Sequence, residues 1–186
     1  MRSDVFVETL AAATFGEAFN FYRDGEGADV RRARLRAYLE SRADAPLLLV
    51  GEAPGYRGAR VSGVPFTSER QLTGSGPAEA TATIVHRVLA DLGLEEEALL
   101  WNALPAHPHL PGRPDTNRRP TGAEIEAGRP FLTALAHGRR VVAVGRVAGA
   151  ALGLPSIRHP SRGGAAAFRE GLLQSAVGGR LVRRFF

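Results

Sequence analysis

The chain contains no cysteine. That excludes disulfides, thiolate zinc sites and cysteine-held iron–sulfur clusters at the outset. It also contains no lysine, so arginine supplies all 24 residues of the lysine-plus-arginine count. Without lysine there is no side-chain amine for a Schiff base and no lysine for a P-loop. No run of about eighteen apolar residues occurs, so no membrane-spanning helix is expected. Met1-Arg2-Ser3-Asp4 brings an acid early, and no apolar leader segment follows. A soluble, cytoplasmic protein is therefore expected.

The 186 residues are 44% hydrophobic, enough for one compact domain over residues 1–186. The formal net charge is +5. Arginine forks grip phosphate at two points, which suits a nucleic-acid partner. A GC-rich coding sequence also favours arginine and alanine, so charge alone does not assign that partner. Nothing points to an oligomer, and a monomer is expected.

Apolar residues and helix formers predict a helix over Val5–Phe21, and a second over Val30–Arg42 capped by Asp29. Leu47-Leu48-Leu49-Val50, ending at Gly51, has the pattern of a buried parallel strand. A Gly/Pro/Ser loop from Glu52 to about Pro77 follows, then a helix over Ala78–Leu92. Ala98–Trp101 reads as a second buried strand, and Ala103–Pro120 as a proline-rich loop. Thr121, with Glu124 three residues on, forms a capping box for a helix to about His137. A third strand is predicted over Arg140–Val144, a short helix to Leu152 and a fourth strand near Pro155–Arg158. A loop at His159–Gly164 and a last helix complete the chain. Alternating strands and helices predict an α/β fold, a three-layer α/β/α sandwich around a four-stranded, mainly parallel sheet. In such sheets ligands bind beyond the carboxyl ends of the strands.

Strand one runs into Gly51-Glu52-Ala53-Pro54-Gly55, and Gly63-Val64-Pro65-Phe66 follows a few residues later. Asn117-Arg118-Arg119-Pro120-Thr121, Arg129-Pro130-Phe131-Leu132 and Val144-Gly145-Arg146 come next, and His159-Pro160-Ser161 lies near the C-terminus. In this order and spacing the motifs resemble the uracil-DNA glycosylase superfamily over roughly residues 46–175. The GEAPG opening is like the thermophile-type iron–sulfur branch. The stretch from Arg57 to Thr67 looks like the neighbouring branch with a GLAPA opening. Two positions depart from the pattern. Other branches carry Asp or Asn where this chain has Ala53, and the iron–sulfur branch often carries an acid where it has Gly58. The cluster cysteines of that branch have no counterpart here.

The resemblance implies a glycosylase that flips uracil out of DNA and hydrolyses its bond to the sugar, leaving an abasic site. No cofactor and no metal are implied; the partner is DNA containing uracil or another deaminated base. Glu52 is the candidate to orient the attacking water or steady the sugar cation, with backbone groups of Gly51–Gly55 as the alternative holders of that water. Phe66 is placed to stack on the flipped base, its plainer role being a core phenylalanine. Asn102, ending strand two, is placed to read the O4 and N3 edge of uracil, where the plainer role is an Asx turn. Gly51 and Ala53 complete the uracil pocket. His159 is the candidate donor to the uracil O2 as negative charge builds there. Pro54, Gly55 and Ser161 are placed against the DNA backbone, and Arg162 as a wedge into the vacated stack. His107-Pro108-His109 is a weak metal pattern, lacking cysteine or a nearby acid. Three rivals stand beside this reading: a non-catalytic damaged-DNA binder, a same-fold glycosylase for hypoxanthine or xanthine, and an unrelated α/β phosphate-binding enzyme.

Overall fold

The computed structural model describes residues 2–177 and 183–184, with side chains described for residues 2–176. Four parallel strands, β1 (Leu47–Gly51), β2 (Ala98–Asn102), β3 (Arg140–Val144) and β4 (Ser156–Ile157), lie in the order β2-β1-β3-β4. A two-residue strand, β5 (Arg183–Arg184), pairs antiparallel with Arg140 and Val141 at the start of β3. The helices are α1 (Ser3–Ala12), α2 (Ala28–Ser41), α3 (Ala59–Ser62), α4 (Glu69–Thr73), α5 (Ala80–Asp91), α6 (Gly122–Ala136), α7 (Arg146–Leu152) and α8 (Ala165–Val177).

Alternation along the strands divides the core in two. Leu48, Val50, Leu99, Trp101, Val141 and Ala143 join Phe6, Val7 and Leu10 of α1, Leu35 and Leu39 of α2, and Phe131, Leu132 and Leu135 of α6. Leu47, Leu49, Ala98, Leu100, Val142 and Val144 face the other way, onto Val85, Val88 and Leu89 of α5 and Phe168 and Leu172 of α8. Covered on both faces, β1 and β2 are buried at every residue, which is why they read as continuous apolar runs. This is the expected three-layer α/β/α sandwich. From β1 the chain crosses to β2, then returns past β1 to reach β3. The strand order therefore reverses at the carboxyl end of β1, where a crevice opens.

The expected helix over Val5–Phe21 is shorter than the pattern suggests. It ends at Ala12, and Asn20, almost fully buried, donates its amide to the carbonyls of Leu10 (2.8 Å) and Ala13 (2.9 Å). Gly16 turns the chain at positive φ. Phe15, Phe21 and Tyr22 then enter the core from an irregular segment rather than a helix. Asp29 does not cap α2; Gly27, in the left-handed region, is the N-cap and Asp29 lies in the first turn. The loop after β1 contains two short helices, α3 and α4, that its glycine and proline content concealed. The capping box at Thr121 and Glu124 forms as expected.

The loop at residues 103–120 is held by more than prolines. His107, fully buried, sets Nδ1 2.9 Å from the carbonyl of Pro54 and Nε2 3.3 Å from that of Pro114. A carbonyl only accepts, so the shorter contact puts the proton on Nδ1. Phe19 and His107 exchange backbone hydrogen bonds at 2.9 Å, and the Tyr22 hydroxyl donates to Gly63 O at 2.9 Å. The segment after α1 thus clamps both loops that flank the crevice.

Candidate active site

The carboxyl ends of β1 and β2 are in register, with Gly51 opposite Asn102. A cleft of about 220 Å³ opens there, lined by Glu52, Ala53, Pro54, Gly55, Phe66, Glu79, Asn102 and His159 among others. Pockets for drug-sized ligands run roughly 300–1,000 Å³, so this cleft is scaled to something smaller, such as one base. A hollow of about 760 Å³ lies at the other end of the sheet, against Pro46 and Arg139, and holds none of the motif residues.

Gly51 sets the floor of the cleft. A Cβ built there would overlap the tip of the Phe66 ring and lie 2.9 Å from Asn102 Oδ1. Only a bare backbone lets ring and amide come so close. Phe66 sits at φ 53°, and Arg162 at φ 52°; they are the only described non-glycine residues at positive φ. Such backbone costs on the order of 1–3 kcal/mol and persists where its surroundings enforce it. Around Phe66 the enforcement is a hydrogen-bonded turn. Ser62 Oγ donates to Thr67 O at 2.6 Å, and Thr67 Oγ1 donates to Pro65 O at 3.1 Å. His86 Nε2 lies 3.1 Å from Thr67 Oγ1, a further hydrogen bond on the turn. The ring is buried against Val85 and Val88 of α5 and also lines the cleft, so the core and pocket roles coincide.

Asn102 is 5% exposed, and its side-chain amide has no hydrogen-bond partner among the described residues. It forms no Asx turn; donor and acceptor both remain available to the cleft. His159, two residues beyond β4, accepts at Nδ1 from the Ser161 N–H at 3.2 Å, with the Ser161 hydroxyl 2.8 Å away. That assigns the ring proton to Nε2, which has no partner among the described residues. Burial, and then the charge of Arg158, pushes the His159 pKa down, so the ring is a neutral donor at neutral pH.

Two carboxylates share the cleft. Burial raises the pKa of Glu52, and the Arg119 guanidinium partly offsets the rise. Burial also raises that of Glu79, which has no cation to offset it. Glu52 and His159 additionally border a second groove of about 780 Å³, lined by Arg146, Arg158, Ser161 and Arg162. The three arginines are exposed, and none forms an ion pair among the described residues. The base-sized cleft therefore opens beside a cationic groove.

The profile of the Uracil DNA glycosylase superfamily matches residues 39–177 of this chain. The chain belongs to that superfamily. It is thereby a DNA glycosylase by family, a hydrolase of DNA base excision repair. Its fold is similar to that in the crystal structure of wild-type Pedobacter heparinus SMUG2, with a TM-score of 0.63 and 13% identity over 92% of this chain and 95% of that one. No curated protein gives a significant match. In this superfamily member, among the described residues, no helix is long and apolar enough to cross a membrane.

Of the residues singled out from sequence, Glu52, Ala53, Pro54, Gly55, Phe66, Asn102 and His159 line one cleft, with Gly51 beneath it. Ser161 and Arg162 line the adjoining groove. The sequence reading did not single out Glu79, and Asn117, Arg118 and Arg119 stood in one of its motifs without a site role of their own. Glu79 arrives from the start of α5, and Asn117 Oδ1 accepts from Tyr56 N at 3.0 Å, tying the two site loops together. Arg118 lines the cleft while pairing with Glu124. His107 and His109 turn their rings onto backbone carbonyls, which spends them as structural staples.

Proposed function

We propose that this glycosylase removes uracil from DNA by flipping the nucleotide and hydrolysing its N-glycosidic bond. The observation that carries the reading is the unpaired Asn102 amide beside the Phe66 ring over Gly51. The ring stacks on the base, a contact worth about 1–3 kcal/mol. The Asn102 Nδ2 donates to O4 and Oδ1 accepts from N3–H. Cytosine presents the opposite pattern, and its rejection follows from leaving both buried groups unpaired. His159 Nε2–H donates to O2, where charge collects as the C1′–N1 bond breaks. Glu52 lies where the cleft meets the arginine groove, suited to facing the sugar and steadying its positive charge. Arg146, Arg158 and Arg162, with the backbone of Pro54 and Gly55 and the Ser161 turn, hold the flanking phosphates.

A panel of single-lesion oligonucleotides tests the reading. Each carries uracil, hypoxanthine, xanthine or cytosine at one position, and alkali after incubation reveals abasic sites. Cleavage at uracil and none at cytosine is expected. Cleavage at hypoxanthine or xanthine without uracil overturns the substrate assignment. Tight binding without cleavage of any strand favours a damaged-DNA binder.

A further inference from the structure

Glu79 is the N-cap residue of α5, yet its side chain makes no capping hydrogen bond. The ordinary use of an acid at that position is therefore not taken. Its carboxylate turns back onto the loop after β1. A Cβ built on Gly55 would lie 2.6 Å from Oε1, and one built on Gly58 would overlap Oε2. Gly55 has no positive φ that would demand glycine; Gly58, at φ −99° and ψ −126°, suits glycine for its backbone as well. Both are bare where the carboxylate passes, so the loop is shaped around it. Among the described residues the carboxylate accepts no hydrogen bond and meets no cation, although it lines the same cleft as Phe66, Asn102 and His159.

Glu79 is half-buried, and a carboxylate partly withdrawn from water without a partner costs free energy. A chain retains such a group where it has chemistry to do. The two cleft acids differ in surroundings: Glu52 has Arg119 nearby, whereas Glu79 has only burial acting on it. Environments that differ in this way divide labour between two carboxylates. The nearby Arg119 charge favours the anionic form of Glu52, and Glu79, without such a charge, is the better base.

We propose that Glu79 is a catalytic residue, whose carboxylate holds the attacking water beside the flipped nucleotide and takes its proton. The inference rests on the glycosylase reading above. As the C1′–N1 bond breaks, its electron pair leaves with the base, and charge on O2 is met by His159. The water oxygen bonds to C1′ and one water proton passes to a Glu79 oxygen. That proton is returned to solvent or to the departing base, so one water is consumed and no other reactant is required. Glu52, on the sugar side, steadies the cation through the step.

The test measures single-turnover cleavage of a uracil-containing duplex by wild type, Glu79→Gln and Glu79→Ala. Anisotropy of the same DNA reports binding, and thermal melting reports folding. A positioned general base contributes about 10²–10⁴-fold. Glu79→Gln is therefore expected to lose at least about 100-fold in rate with its DNA affinity within a few-fold of wild type. Glu79→Ala is expected to be equally slow, and to regain activity with sodium formate but not with sodium chloride at equal ionic strength. Formate then occupies the vacated site as a free carboxylate. Glu79→Gln cleaving at the wild-type rate overturns the proposal, as does Glu79→Ala that formate leaves unimproved. Wild type that itself leaves the uracil duplex uncut overturns the underlying glycosylase reading and this inference with it, an outcome told apart by the absence of any wild-type cleavage.

Discussion

The backbone N–H of Ser161 donates to Nδ1 of His159 at 3.2 Å, and the Ser161 hydroxyl stands 2.8 Å from the same nitrogen. A two-residue turn thus fixes the tautomer, leaving Nε2–H as the donor to the cleft. Replacing His159 with Ala should lower single-turnover cleavage about 10²–10³-fold, the loss typical of one oxyanion donor, while DNA binding persists. The pH dependence follows in sign. Burial and Arg158 hold the His159 pKa below its ordinary value, about 6.5. The ring therefore stays neutral as pH falls from 8 to about 6.5, and over that range His159 adds no slope to the rate. At lower pH a proton on Nδ1 would face the Ser161 N–H, and cleavage should decline. A rise in rate as the ring protonates would remove the neutral-donor role.

Gly51 should tolerate no side chain. Its Cβ would strike the Phe66 ring and crowd Asn102 Oδ1, so Gly51→Ala must displace one of them. Cleavage should fall at least as far as in Phe66→Ala, where loss of about 1–3 kcal/mol of stacking corresponds to roughly 5–150-fold. Single-turnover rates at saturating enzyme compare the two. Gly51→Ala that cleaves as wild type does would mean that the ring does not need this closeness.

Arg118 and Glu124 brace the loop after β2 against α6. Their side chains are 19% and 3% exposed, and Glu124 also accepts from Thr121 N at 2.8 Å. Glu124→Gln should destabilise the fold by about 1–3 kcal/mol, the value of hydrogen bonds to a charged group, because Arg118 keeps its bonds to His109 O and Arg119 O. The hydrogen bond from Arg118 is the main cause holding the Glu124 pKa low. That stabilisation is complete above the ordinary glutamate pKa, about 4.3, and is lost as pH falls through the depressed folded value. Chemical denaturation at pH 7 and pH 3.5 should show a wild-type loss that Glu124→Gln largely lacks.

The arginine groove makes an ionic prediction. Arg146, Arg158 and Arg162 border it without acidic partners among the described residues. Each replacement by Ala should weaken binding to DNA of any sequence and reduce the slope of log K against log[salt] by about one. If Arg162 also fills the gap left by the flipped base, Arg162→Ala should slow cleavage beyond its effect on affinity. An unchanged salt slope in all three would place the DNA elsewhere.

The legible parts of the molecule were those fixed by neighbours in sequence. The run Leu47–Val50 and the Thr121/Glu124 box needed only local pattern, and both formed as expected. The first helix was overextended because Phe15, Phe21 and Tyr22 carry the same apolar signal whether helical or not. What ends it is Asn20, reaching back across the chain to carbonyls at residues 10 to 13. The cleft residues on motifs were readable, since β1, β2 and β4 end at one edge of a parallel sheet. The place of Glu79, and that of Arg119 beside Glu52, were not, because they depend on how α5 and the loop after β2 return to that edge. One trace of Glu79 does exist in sequence. Gly55 and Gly58 are spaced three apart, the ends of a turn closed by Gly58 N–H donating to Gly55 O at 3.1 Å, and their lack of side chains is what lets the carboxylate approach that turn.

The proposed function requires that this cleft hydrolyse the bond between uracil and deoxyribose. Its most direct measurement is mass spectrometry of a single-turnover reaction on a one-uracil duplex in ¹⁸O-labelled water, with enzyme in excess. Free, unlabelled uracil is expected in one-to-one yield with an abasic strand that carries the label at C1′, and both should be lost in His159→Ala. Intact DNA from wild-type enzyme that binds it, or release of a different base in preference to uracil, would overturn the assignment of uracil hydrolysis to this cleft.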